Sequence, residues 1–104
     1  PDIAAALALE VSKRGCLGIL LCGSGAGMCI AANKVRGIRA AQAWTPAVAK
    51  LLRAHNDVNV LCVSTRMLSF AKNSAITKTF LSTNFSRLAR HARRVKKIAT
   101  LETV

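Results

Sequence analysis

Leu17-Gly18-Ile19-Leu20-Leu21-Cys22-Gly23-Ser24-Gly25-Ala26-Gly27-Met28 is the stretch on which the fold turns. Its first half, Leu17 to Cys22, is a short continuous apolar run, the pattern of a strand buried on both faces. Glycines then alternate with small residues, and Met28 to Lys34 reads as a helix, with Gly37 beyond it. A buried strand that passes through a glycine-rich turn into a helix is the opening of an α/β unit.

Working outward, the same alternation recurs. Ile38 to Ala43 is a weaker second strand. Thr45-Pro46 opens a helix, with a hydroxyl cap and proline in the first turn, that runs to about Ala54. Val58 to Val63, β-branched and apolar, is a third strand. Ser69 opens a helix to about Leu81 that carries Phe70, Ile76 and Phe80 inward, and 82–86 is a loop. Leu88, Ala92, Val95 and Ala99 mark one face of a last amphipathic helix, with basic residues on the rest. Upstream, Asp2 caps a helix to Lys13, with Ile3, Leu7 and Val11 at helical spacing and Arg14-Gly15 as its stop. Strand and helix alternate three times, which predicts parallel strands joined by right-handed crossovers. Without internal repeats or a low-complexity linker, residues 1–104 are expected to form a single domain.

In open α/β sheets, ligands gather at the carboxyl ends of the strands. There the glycines after Cys22 let backbone N–H groups point at an anion, and the following helix adds its positive end. A plain glycine-rich turn with a buried cysteine is the competing reading. Dinucleotide binding is poorly supported. The glycines read GxGxG rather than GxGxxG, and no acid lies between Glu10 and Asp57 to hold a ribose. A GxxxxGK[ST] phosphate loop is also absent. His55-Asn56-Asp57 precedes the third strand, so it belongs to the opposite end of the sheet from Cys22. A site that uses both must be built across two subunits, or the two are unrelated. The blander reading of His55 is a helix C-terminal residue favoured by the dipole. Arg90 and Arg94 are four apart and share a helix face. With Arg66, they offer forked hydrogen bonds to a phosphate; a solvated basic face is the alternative.

Composition narrows the class. Of 104 residues, 52% are apolar, which argues against disorder. No apolar run approaches the roughly 20 residues of a membrane-spanning helix, and no secretory signal pattern is visible. Cys16, Cys22, Cys29 and Cys62 form no CxxC pair and match no zinc module, as expected for reduced thiols in a cytoplasmic protein. Sixteen Lys and Arg face four acids, a formal charge of +12, which attracts polyanions or phosphorylated small molecules.

Gly18-Ile-Leu-Leu-Cys-Gly-Ser-Gly-Ala-Gly-Met28, Ile30-Ala-Ala-Asn-Lys34 and Gly37-Ile-Arg-Ala40 resemble the type B ribose-5-phosphate isomerases. That family's relatives include galactose-6-phosphate isomerase subunits and allose-6-phosphate isomerases. His55-Asn-Asp57, Asn59-Val-Leu61, Arg66, Arg90-His91 and Arg94-Val95 continue the match in register over nearly the whole chain. The resemblance implies a three-layer α/β/α sandwich on a parallel, Rossmann-like sheet. The family's first two strands, the first of which bears an Asp-His pair, would be missing before Pro1. It further implies a homodimer with shared active sites and a phosphorylated sugar substrate, with no metal and no cofactor.

The reaction implied is aldose–ketose isomerisation of ribose 5-phosphate to ribulose 5-phosphate through an enediolate. Cys22 would be the base, and Ser24 would hydrogen-bond the reacting oxygens. The N–H groups of Gly23, Gly25, Ala26 and Gly27, with that of Ser24, would hold the enediolate. His55 of the partner subunit would open the sugar ring, Asn56 would bind hydroxyls, and Arg66, Arg90 and Arg94 would hold phosphate. The chain departs from the family pattern at Ala26, at Val63-Ser64-Thr65, at Leu88-Ala89 and in Arg14-Gly15-Cys16, which lacks the usual acids. The alternative is a non-catalytic, truncated paralogue that binds anions or RNA through its basic C-terminal helix. Few aromatics (Trp44, Phe70, Phe80 and Phe85) are available for base stacking.

Overall fold

The computed structural model describes residues 1–103. The elements are α1 (Asp2–Arg14), β1 (Gly18–Cys22), α2 (Ala26–Ala32), β2 (Ala40–Gln42), α3 (Pro46–Asn56), β3 (Val60–Ser64), α4 (Phe70–Ser82) and α5 (Ala89–Thr100), then a 3-10 turn at Leu101–Thr103. All three strands are parallel and lie in the order β1-β3-β2. Gly18 pairs with Val60, Cys22 with Ser64, and Ala40 with Val60.

Strand alternation sends side chains to two different layers. Leu20, Val60 and Cys62 face α1 and α2, where Ala4, Ala8, Val11, Ala32 and Ile38 complete one core. Leu61 and Val63 face α3 and α4, where Ala43, Ala49, Val58, Ile76 and Phe80 complete the other. The result is a three-layer α/β/α sandwich. α1 comes close to the sheet because residue 18 is glycine: a Cβ there would meet Val11 Cγ2 at 2.8 Å.

Both helix starts at Thr45 and Ser69 are as expected. Their hydroxyls accept from the N–H groups of Val48 and Lys72, each at 3.2 Å, and so satisfy donors that the first turn leaves free. Gly15, at φ 65°, closes α1.

Other expectations are corrected. Asp2 lies inside the first turn of α1 rather than capping it. Ile3 is 71% exposed, and α1 packs instead through Ala4, Ala8 and Val11, whose small side chains allow a closer approach. The helix after the glycine loop starts at Ala26 and ends at Ala32. The second strand is only Ala40–Gln42, and the third, Val60 to Ser64, starts two residues later and ends one residue later than expected.

β1 is not covered on both faces. β3, in the middle, has that role with every residue buried, whereas Leu21 is 58% exposed. Beside Leu21, a groove of about 550 Å³ runs between β1 and α4, lined by Ile19, Val63, Leu68 and Phe70 among others. Phe70, expected inward, is 90% exposed on its rim. The inward face of α5 is His91 and Val95; of the four residues expected there, Leu88, Ala92 and Ala99 are exposed.

Two asparagines finish β2. Asn33 donates to Ala40 O at 2.9 Å and accepts from Ala40 N at 2.8 Å, occupying the outer edge as a neighbouring strand would. Asn59 accepts from Arg39 N at 2.8 Å and donates to Gly37 O at 2.9 Å.

Candidate active site

Cys22 ends β1 and is half-buried beside the end of β3. The loop after it is fixed through its carbonyls. Cys22 O accepts from Thr65 N at 2.9 Å and from Thr65 Oγ1 at 3.2 Å. Gly23 O accepts from Arg66 N at 3.1 Å and from the Ser64 hydroxyl. Ser24 O accepts from Gln42 Nε2 at 2.7 Å, which ties the loop to β2 as well. With the carbonyls held by the sheet, the amides are left over: among the described residues, nothing accepts from the N–H groups of Gly23, Ser24 or Gly25. Donors left free at such a turn suit an anionic oxygen.

Each loop residue has a structural reason. Gly25 has φ 85°, a backbone conformation that favours glycine, and a Cβ there would also displace the Gln42 amide. The Ser24 hydroxyl lies 3.4 Å from Ala26 N, at the start of α2. Ala26 and Gly27 are exposed in that first turn. The Arg66 guanidinium lies over Gly23, 3.3 Å from where a Cβ would stand.

Two further thiols stand behind Cys22. Burial pushes the Cys62 thiol well up, with Cys29 and Cys22 adding to the effect. Burial also raises Cys29, opposed by its hydrogen bond to Cys62 and reinforced by Cys22. Both are therefore held as protonated packing groups, and the half-exposed Cys22 is the one of the three that ends its strand at the free amides.

The second group of expected residues gathers elsewhere. His55 and Asn56 are exposed in the last turn of α3, before β3 begins. β3 separates them from Cys22 by its own length, on the order of 15 Å at about 3.3 Å per residue. Arg90 and Arg94 are exposed on α5, near His91. The His91 ring stacks on His55 with centroids 4.2 Å apart. The structure thus places the expected residues in two groups. One holds Cys22, Gly23, Ser24, Gly25, Ala26, Gly27 and Arg66, and the other holds His55, Asn56, Arg90 and Arg94. Arg66 joins the cysteine loop rather than the other two arginines.

Sequence reasoning gave Asp57 no task beyond its place beside His55 and Asn56. Asp57 sits at φ 49° and accepts from Arg53 at 2.8 Å and Arg39 at 3.4 Å. Buried Arg53 also donates to Val58 O at 2.8 Å and Thr83 O at 3.2 Å. The four-residue spacing of Arg53 and Asp57 was the available signal. His91 was also missed, because a histidine inside a basic run reads as a solvated one. Among the described residues, no group of three or more His, Cys, Asp or Glu could hold a metal ion, and no helix is long and apolar enough to cross a membrane.

This parallel sandwich, with a cysteine at a strand-to-glycine-loop junction, defines a class. The family model of the Ribose/Galactose Isomerases matches residues 1–98, and the chain belongs to that family. It is 44% identical over 104 residues to the probable ribose-5-phosphate isomerase B of Mycoplasma genitalium, covering 98% of this chain and 68% of that protein. It is 43% identical to ribose-5-phosphate isomerase B of Mycobacterium tuberculosis, over 94% of this chain and 60% of that one. Among solved structures, the type B ribose 5-phosphate isomerase of Trypanosoma cruzi superposes with a TM-score of 0.96 at 44% identity, over 99% of this chain and 69% of that one. The Mycoplasma genitalium enzyme with bound ribulose-5-phosphate superposes at 0.94 with 44% identity, over 99% and 68%. The chain thus spans roughly two-thirds of the length of these relatives.

Proposed function

We propose that this chain catalyses the aldose–ketose isomerisation of ribose 5-phosphate to ribulose 5-phosphate, as a single sugar-phosphate isomerase domain over residues 1–104. The observation that carries the reading is the half-buried Cys22 beside the free N–H groups of Gly23, Ser24 and Gly25. Family membership and the ribulose-5-phosphate bound to the Mycoplasma genitalium relative support it.

In the opened sugar, the Cys22 thiolate removes the proton from C2. The C–H electron pair becomes the C1–C2 double bond, and the carbonyl pair moves onto O1. The loop amides meet that oxygen where its charge develops. Cys22 returns the proton to C1, and the hydroxyl proton passes from O2 to O1, leaving the ketone at C2. Ser24 hydrogen-bonds both oxygens during the transfer.

Ring opening falls to His55 and sugar-hydroxyl binding to Asn56. Because the two groups stand at opposite ends of the sheet, a complete site joins the loop of one protomer to His55 of the partner subunit in a homodimer. Arg90 and Arg94 then hold the phosphate, with Arg66 completing its charge from the loop side. The test is turnover of ribose 5-phosphate by the chain and by Cys22→Ala. Loss of a general base is expected to lower kcat about a hundredfold or more, and unchanged turnover removes the mechanism.

The alternative, anion or RNA binding by α5 without catalysis, is favoured by one observation: Arg87, Arg90, Arg93, Arg94, Lys96 and Lys97 are all exposed. RNA affinity that falls steeply with salt, together with no isomerase turnover, selects it.

A further inference from the structure

The two histidines of this chain meet, and the contact is built rather than incidental. His91 is buried on the inward face of α5, while His55 is exposed at the end of α3. Their rings lie 4.2 Å apart, with planes at 29°. His91 Nδ1 is 2.6 Å from Ser86 Oγ, and that bond fixes the rotation of the ring whichever atom carries the shared proton. Ser86 is fixed in turn. Its N–H donates to Ala54 O at 3.0 Å, one residue before His55, and its hydroxyl accepts from Leu88 N at 3.2 Å. A closed circuit therefore runs from α3 through Ser86 to His91 and back through the ring stack to His55.

The turn that makes this possible is strained. Arg87, directly after Ser86, has φ 61°, where a non-glycine residue is disfavoured by roughly 1–2 kcal/mol. Surroundings that hold a residue in that region over-determine it, and such positions cluster at functional sites.

We propose that His91 is a positioning residue: a hydrogen-bonded plate that sets the ring of His55 in the orientation from which it opens the sugar. An exposed histidine otherwise samples several rotamers. A proton donor must stand within about 3 Å of the ring oxygen, and misplacement by about 1 Å can cost a hundredfold. The charged and titratable groups near His91 are His55 on α3 and Arg90 and Arg94 on its own helix. Loss of solvation first, then these three groups, hold His91 below its ordinary range, so the plate brings no charge of its own to the site.

The inference rests on the ring-opening role of His55, and the experiment separates the two. Ribose 5-phosphate is largely a closed ring. Ribulose 5-phosphate cannot close one of five members, because its C5 oxygen is esterified. A ring-opening defect therefore slows isomerisation by the same factor in both directions, because the equilibrium between the sugars is fixed, and spares the exchange of the C1 proton of ribulose 5-phosphate with solvent, which needs no ring step. His91→Ala is expected to lower kcat/KM for isomerisation about tenfold to a hundredfold and the rate of deuterium uptake from solvent at C1 of ribulose 5-phosphate less than about twofold. In NMR spectra of the chain, the upfield ring-current shift of the His55 ring protons is expected to vanish in His91→Ala. In His91→Phe, which refills the space, it is expected to persist.

Equal losses of isomerisation and of C1 exchange, no loss, or unmoved His55 resonances overturn the positioning role. His55→Ala serves as the control. If it lowers isomerisation and C1 exchange alike, the ring-opening reading fails and takes the proposal with it. If it lowers isomerisation and spares exchange and His91→Ala does not, only the proposal fails.

Discussion

At the carboxyl end of the sheet, the loop after β1 is held mainly through main-chain carbonyls, those of Cys22, Gly23 and Ser24, which accept from β3, the turn after it and Gln42. At the amino end, side chains hold the structure. Arg53 and Arg39 clasp Asp57, Asn59 brackets β2, and His91 backs His55. A loop fixed by its carbonyls keeps its amides free for a ligand and tolerates most side-chain changes. An end fixed by side chains is more exposed to single substitutions.

The largest test of that contrast is Arg53→Met. It strips the bonds to Val58 O and Thr83 O and leaves Asp57 with Arg39 alone. A loss of about 3 kcal/mol is expected in urea denaturation, and a loss under about 1 kcal/mol would erase the difference between the ends. At the carboxyl end, Gly25→Ala is the exception to tolerance. Strain at φ 85° and displacement of the Gln42 amide together are expected to cost about 2 kcal/mol. In a Gln42→Ala background, the same substitution is expected to cost about 1 kcal/mol, a coupling that a double-mutant cycle reads directly.

A pH scan sharpens the contrast with a smaller effect. His91 is held below its ordinary value of 6.5 in the folded chain. As pH falls through 6.5, the unfolded chain takes up a proton that the folded chain refuses, so stability decreases. Thermal melts are expected to fall between pH 7.5 and pH 5.5, less steeply in His91→Phe. An identical slope in the variant would show that His91 is not the group responsible. The smallest effect belongs to the exposed Glu10–Arg14 pair of α1. Glu10→Gln is expected to shift stability by less than about 0.5 kcal/mol.

How far the sequence predicts each of these features follows from what a local pattern contains. Strand–helix alternation and the caps at Thr45 and Ser69 are local, and they were legible. So was the junction at Cys22, where an apolar run meets glycines. Which strand lies in the middle is a property of long-range pairing, so the apolar run Leu17 to Cys22 reads as buried on both faces, whereas β3 holds that place. Phe70 was read as core from its hydrophobicity, yet its first-turn position turns it toward the groove rim. His91 was hidden because its partners, Ser86 and His55, are five and thirty-six residues away in sequence. Whether the two groups meet is a matter of quaternary arrangement, which the pattern within one chain does not encode.

The amide of Asn33, lying along the rim of β2, makes the sheet one-sided as an acceptor of new strands. Backbone groups at Ala40 that could recruit a further strand are already engaged, whereas among the described residues β1 has β3 as its only strand partner. Unguarded rims are where sheets grow. A strand that extends this sheet therefore finds its free rim beside Leu21, next to the open groove, whereas on β2 the Ala40 position is already taken by a single carboxamide.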